Sequence, residues 1–138
     1  MVDDSKTRPL IGVGVIVFRD DTVLLIRRGK EPKTHEWSIP GGRQRLGEPV
    51  LETARREVWE ETGVEIDICG FVDVIDFIDA DFHYTLLDYA AGWLSGDVRP
   101  GGDVLDARWV PLADLADYDL WEETQRVIAK ARDLRDAR

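Results

Sequence analysis

Residues 42–64 read GRQRLGEPVLETARREVWEETGV, and their spacing specifies a loop, a helix and both helix ends. Pro49 stands where a helix begins and Gly63 where one stops, the positions at which each residue is best tolerated. The stretch from Glu48 to Thr62 therefore predicts a helix. With Val50 at zero and roughly 100° per residue, Glu60, Thr53, Glu57 and Glu61 fall between roughly 280° and 20°, on one face. Ala54, Val58, Leu51 and Thr62 fall between roughly 40° and 120°, the side expected to face a core, and Arg56 borders the acidic stripe at roughly 240°. Glu57, Glu60 and Glu61 are thus crowded at i, i+3 and i, i+4 spacing, which destabilises an isolated helix unless a cation is bound. A solvated charge run is the ordinary explanation of a Glu-rich face. The glycines, the proline and Arg56 around this one count against it.

Working outward, Leu10 to Phe18 (LIGVGVIVF) is rich in β-branched residues and predicts a strand, Asp20-Asp21 a turn, and Val23 to Ile26 a returning strand. Arg27 to Glu36 reads as a polar loop and Trp37 to Pro40 as a short extended piece running into Gly41-Gly42. Glu65 to Ile78 predicts a strand broken near Asp73 to Asp76, Tyr84 to Leu94 another, and Arg108 to Val110 a short one after a loop over Ser95 to Asp106. Pro111 opens a helical turn around Leu112 to Leu115. Leu120, Trp121, Thr124, Val127, Ile128, Ala131 and Leu134 recur at helical spacing, predicting an amphipathic helix over 119–134. Strands split around one helix, with a second at the end, point to an α/β fold: a mixed β-sheet packed between helices.

The 138 residues suit one domain over 1–138 with a polar N-terminal tail at 1–8. A net charge of -10 argues against nucleic-acid or anionic-membrane binding, which needs Lys/Arg-rich surfaces. An acidic protein can still act on phosphates if a divalent cation lies between the two sets of anions. Cys69 is the only cysteine, excluding an intrachain disulfide; its neighbours Ile66, Ile68 and Phe71 lead us to expect a buried thiol. No apolar run is long enough to span a membrane and the N-terminus has no signal-peptide pattern, so a cytoplasmic location is expected.

Gly42, Glu48, Arg56, Glu57, Val58, Glu60, Glu61, Gly63 and Val64 fill every specified position of G-x5-E-x7-R-E-U-x-E-E-x-G-U, U being bulky and aliphatic. The segment resembles the signature of the Nudix hydrolases. That resemblance implies the α/β/α sandwich of Nudix domains over nearly the whole chain. It also implies metal-assisted hydrolysis of a nucleoside diphosphate linked to a second group. Glu57, Glu60 and Glu61 look like the metal ligands, joined by the carbonyl of Gly41, and hard oxygen donors favour Mg²⁺ or Mn²⁺. By the same resemblance Arg56 orients the glutamates, which a guanidinium can do through paired hydrogen bonds. Glu48 serves the loop–helix end or the metal site. Glu57 or Glu60 is expected to accept the proton of the attacking water. In some members a later loop supplies a carboxylate; Asp103 is the nearest match here and Asp106 the next.

Outside the box the signals are weaker. Arg27 and Arg28 can contact phosphate or ribose, and Trp37 can stack on a base, although a Trp beside such a turn more often packs in a core. Phe77, Phe82 and Trp93 are expected in the core, and His83 is expected to be structural. The runs RPLIGVGVIVF, RRGKEPKTHEWSIPGG, FHYTLLDY and ARWVPLADL resemble the short bacterial ADP-ribose pyrophosphatase-like group. The expected partner is therefore a small nucleotide, ADP-ribose or another nucleoside diphosphate sugar. A MutT-type hydrolase of (d)NTPs, oxidised ones included, and a non-catalytic nucleotide sensor are the alternatives. A homodimer through the C-terminal helix or the first strands is a further expectation.

Overall fold

The computed structural model describes residues 7–137, so most of the expected tail over 1–8 lies outside the described residues. The chain runs β1 (Leu10–Arg19), β2 (Thr22–Arg28), β3 (Trp37–Ser38), β4 (Gly41–Arg43), α1 (Val50–Thr62), β5 (Glu65–Ile78), β6 (His83–Ser95), β7 (Val104–Pro111), a 3-10 segment (Leu112–Tyr118) and α2 (Glu122–Asp136). The expected helices and strands are present with modest changes at their ends. Asp106 lies inside β7 rather than in the preceding loop, and β5 is one strand rather than two. Its irregularities fall at Glu65/Ile66, Ile68/Gly70 and Phe71/Asp73, ahead of the predicted break, because pairing to β6 continues through Ile78.

All of Gly12 to Phe18 in β1 is buried, as a strand covered on both faces requires. β1 runs parallel to β6 from Leu10↔Tyr84 to Phe18↔Gly92. It pairs with β2 only at the closed end of their hairpin, at Phe18↔Val23 and Arg19↔Thr22. The two strands then part. β4 takes the vacated edge of β1 at Gly12↔Arg43, Val13↔Gly42 and Gly14↔Gly41, while β3 takes β2 at Ile26↔Ser38 and Arg27↔Trp37. This divergence sets Gly41 and Gly42 in the middle of the sheet. It also leaves β1 paired along both edges.

Each face of the sheet carries one apolar cluster. Val13, Val15, Val17 and Leu24 meet Ala54 and Val58 of α1, whereas Ile16, Phe18, Leu25 and Ile75 meet Val127, Ile128 and Ala131 of α2. The result is the expected α/β/α sandwich with a mixed sheet. Leu51, placed on the core side by its angle, is 40% exposed, while Thr53 is fully buried. α1 is turned toward the Glu48 loop, where the Thr53 hydroxyl donates to Glu48 Oε1 at 2.6 Å. Cys69 is exposed instead of buried, since the irregular stretch of β5 turns Cys69 and Phe71 outward. Phe77, Phe82 and Trp93 are half-buried, and of the three Trp93 packs against the α1-side cluster.

Asp88 is an exception inside an apolar strand: it is 3% exposed. Burial, with a smaller contribution from the charge of Asp73, pushes its carboxyl up to about 7, against the pull of Arg126 and of the Gly14 backbone N–H. An unfolded aspartate titrates near ~3.9. The folded chain therefore keeps a proton between these values that the unfolded chain releases, and the associated stability is complete below ~4 and lost as pH rises to about 7. Asp88→Asn removes this dependence. Its melting temperature should exceed that of the wild type by roughly 3 °C or more at about pH 8, with a smaller gap at about pH 5. Thermal melts by circular dichroism at both pH values measure this.

Candidate active site

α1 enters after the loop 44–49 and leaves through Gly63, whose φ of 73° turns the chain left-handed while its N–H donates to the Trp59 carbonyl. The carbonyls of Glu61 and Thr62 are also met, by the N–H groups of Gly101 (3.0 Å) and Arg99 (2.9 Å). The loop before β7 thus closes the end of α1 and draws its tip toward the carboxylates.

The Arg56 guanidinium organises the other end. Nε donates to Glu48 Oε2 at 2.7 Å and Nη2 to Glu48 Oε1 at 2.9 Å, a two-point clamp. Nη2 also reaches the Arg43 carbonyl at 3.0 Å, and Nη1 reaches Glu57 Oε1 at 2.6 Å and Glu60 Oε2 at 3.3 Å. Five bonds match the five donors that an arginine has. With Arg56 on both its oxygens and Thr53 on one, Glu48 is held down to about 2. Glu48 ties the loop to the helix and is spent on that task.

Glu57 and Glu61 lie against β4. A Cβ at Gly42 would sit 2.3 Å from Glu57 Cδ, so only glycine lets that carboxylate rest there. The Gly41 N–H donates to Glu61 Oε1 at 2.9 Å. Desolvation raises both acids, Glu57 against the opposing Arg56 and Glu61 up to about 7 against the Gly41 N–H. Glu57 and Glu60 each add repulsion to a neighbouring acid, Glu61 and Glu57 respectively. Glu60 is more exposed and also faces Arg45 Nη2 at 3.8 Å.

Among the described residues, no three acidic, histidine or cysteine side chains converge closely enough to form a ready metal cage. Arg56 engages Glu57 and Glu60, and Gly41 engages Glu61. The donor chemistry nevertheless suits a hard divalent ion: oxygens from Glu57, Glu60 and Glu61 on one helix face, beside the backbone of Gly41, with two acids whose burial disfavours an uncompensated charge.

Arg27 and Arg28 are largely committed to the loop after β2. Arg27 Nε donates to the His35 carbonyl at 3.0 Å and Arg28 Nε to the Pro32 carbonyl at 2.6 Å. The charge of Arg28 still acts on Glu61. Trp37 lies half-buried, edge-on to Tyr118 at 5.1 Å and beneath the Arg108 guanidinium. Asp103 is exposed and paired with Lys30 at 3.5 Å. Lys30 also acts on Glu57 and Glu61, so it joins the loop aspartate to the acidic site. The sequence reading placed Thr53 on the acidic face without assigning it a role, and it missed Lys30. Only its neighbourhood in space marks Lys30.

The NUDIX domain family model matches residues 8–131. The chain belongs to the Nudix family. It is similar to an ADP-ribose pyrophosphatase of Methanocaldococcus jannaschii, 29% identical over 109 residues that cover 78% of this chain and 64% of that protein. It is also similar to a putative 8-oxo-dGTP diphosphatase 2 of Mycobacterium tuberculosis, 34% identical over 119 residues, 85% of this chain and 82% of the relative. Among solved structures, a MutT NUDIX hydrolase from Burkholderia pseudomallei superposes with a TM-score of 0.80 at 31% identity, covering 89% of this chain and 98% of that one. Against three curated relatives, the M. jannaschii protein among them, the chain spans 26% to 64% of their length.

Within this Nudix site, lysine at position 56 would keep the charge and lose the planar fork. Arg56→Lys should lower kcat/KM by roughly 10–100-fold on any nucleotide the chain hydrolyses, as loss of a ligand-orienting partner does. Steady-state kinetics across a Mg²⁺ series checks this.

Proposed function

We propose that this chain is a divalent-metal-dependent hydrolase that cleaves the diphosphate of a nucleoside diphosphate linked to a second group, with ADP-ribose or a related nucleoside diphosphate sugar as the leading substrate. The observation that carries the reading is the placement of Glu57 and Glu61 against Gly42 and Gly41, with Arg56 binding Glu48, Glu57 and Glu60 in one network. A bound Mg²⁺ or Mn²⁺ supplies charge neutralisation at the phosphates and a water of lowered pKa. Glu57, Glu60, Glu61 and the Gly41 carbonyl are the groups to hold it, as Glu57 and Glu60 turn from Arg56. Glu57 or Glu60 takes the proton from the attacking water. Asp103 at the loop tip is a further carboxylate for that role, with Lys30 as its present partner. Arg27, Arg28 and Trp37 are the weaker candidates for substrate contact, the charge of Arg28 already acting on Glu61. The substrate is a free nucleotide rather than a nucleic acid, in keeping with the net charge of -10.

The M. jannaschii relative's name supports the ADP-ribose reading, and the M. tuberculosis relative, matched over most of both chains, supports a second one: hydrolysis of (d)NTPs, oxidised forms included. Cytoplasmic placement remains an expectation. Among the described residues no helix is long and apolar enough to cross a membrane.

A panel of ADP-ribose, other nucleoside diphosphate sugars, dinucleotides and (d)NTPs including 8-oxo-dGTP tests the proposal, with Mg²⁺ or Mn²⁺ and products identified by mass. AMP and ribose 5-phosphate are expected, with Glu60→Gln reducing turnover by roughly 100-fold or more. Pyrophosphate from triphosphates alone would select the second reading. Binding without turnover of any member would overturn both in favour of a sensor.

A further inference from the structure

Lys30 stands two residues beyond β2, where the β2–β3 loop meets the loop before β7. A Cβ on the adjacent Gly29 would collide with the Asp103 carbonyl oxygen, so only glycine permits that contact. One step further in, Arg28 pairs with Val104. The loop before β7 is in turn fixed to the end of α1. The Gly101 N–H donates to the Glu61 carbonyl at 3.0 Å, and a Cβ at Gly101 would collide with the Glu60 carbonyl oxygen. A series of backbone contacts therefore ties Lys30 to the helix that carries the carboxylates.

The cations around the acidic stripe differ in how firmly they are committed. Arg56 is spent on Glu48, Glu57, Glu60 and the Arg43 carbonyl. Arg27 and Arg28 donate to the carbonyls of His35 and Pro32, and Arg45 faces Glu60 at 3.8 Å. Lys30 has one ion-pair partner among the described residues, Asp103 at 3.5 Å, and the two side chains are 67% and 69% exposed. A pair so exposed contributes little to stability and is readily given up. The charge of Lys30 nevertheless reaches both Glu57 and Glu61, so its ammonium stands close to the stripe. On a flexible stem with three donors and no fixed geometry, that ammonium can turn from one anionic oxygen to another without moving the backbone.

We infer that Lys30 is a specificity-determining residue, held on Asp103 in the free chain and transferred to a phosphate of the nucleotide when a diphosphate binds at the acidic stripe. This rests on the nucleotide reading above. A diphosphate has one phosphate for the stripe and another for the ammonium, whereas a monophosphate has one for both. The exchange thus favours the substrate over its nucleoside monophosphate product. While it lasts, Asp103 is released as a carboxylate for the role considered above.

Calorimetric titration of the full chain in Mg²⁺ tests it with α,β-methylene-ADP, whose bridging carbon blocks cleavage between the phosphates, and with AMP as the single-phosphate probe. Lys30→Met should weaken binding of the diphosphate by ~10-fold or more and of AMP by ~2-fold at most, and Lys30→Arg should restore most of the loss. Asp103→Asn should tighten the diphosphate by ~2–5-fold, the worth of an exposed ion pair, and should do much less once Lys30 is Met. A pair that only braced the two loops would give the opposite pattern, with loss of either partner weakening binding alike. In steady-state kinetics Lys30→Met should raise KM more than it lowers kcat, as loss of a contact made throughout the reaction does. The variants should melt within ~2 °C of the wild type, since both side chains are exposed. Unchanged diphosphate affinity in Lys30→Met, equal weakening of both probes, or weaker binding in Asp103→Asn overturns the inference and leaves any observed hydrolysis intact. Hydrolysis of the panel by a chain that does not bind α,β-methylene-ADP overturns it too. If no nucleotide is bound or hydrolysed, the nucleotide reading fails and the inference with it.

Discussion

The five donors of Arg56 couple a loop, a helix and a strand that have no other reason to hold one relative geometry. Through Glu48 the guanidinium anchors the loop ahead of α1, through the Arg43 carbonyl it reaches the end of β4, and through Glu57 and Glu60 it orders the acidic stripe. Its side chain is only 16% exposed, and so is that of Glu48, so the bonds between them act with little competition from water. A point charge on a flexible stem cannot serve three directions at once; a rigid planar fork can. Glu48 and Arg56 form the frame, and Glu57, Glu60 and Glu61 are the groups it presents.

A second constraint comes from backbone contact. β1 and β2 part after two paired positions, and the gap admits β4 into the centre of the sheet. Gly42 can then lie against the Glu57 carboxylate, and the Gly41 amide against Glu61. Both acids are desolvated and raised by that approach, Glu61 to about 7. The site is thus a set of carboxylates whose charge burial disfavours and which the surrounding fold holds together. Asp88 repeats the pattern on the opposite face, where an acid is buried over a glycine with one oxygen unmatched.

Much of this was legible in residues 42–64. Pro49 and Gly63 marked the helix, and the 3.6-residue period placed Glu57, Glu60, Glu61 and Arg56 correctly relative to one another. Cys69 and Leu51 were misread because apolar neighbours and a wheel angle say nothing about which layer covers a residue. An irregular β5 turned the first outward, and the second lies 40% exposed in the first turn of α1. Phe77 and Phe82, expected in the core on average burial, are half-buried against another ring, while Trp93 packs on the α1-side cluster beneath the Arg19 guanidinium. Lys30 was invisible, since its role comes from electrostatic neighbours dozens of residues away, whereas Thr53 fell on the acidic face of the wheel without its bond to Glu48 being foreseen.

What the sequence determined by itself is the box, its helix and the family: these depend on local spacing, and local spacing is a property of the chain. It also determined that the chemistry is acidic and oxygen-based, because the residue types are. The tertiary structure alone decided that Gly41 and Gly42 lie under two of the carboxylates, that the loop before β7 closes α1 through Arg99 and Gly101, and that Asp88 faces Gly14 across a parallel ladder. Each of these joins segments far apart in the chain. Strand register and the parting of β1 from β2 bring them together, and neither leaves a mark in the order of residues.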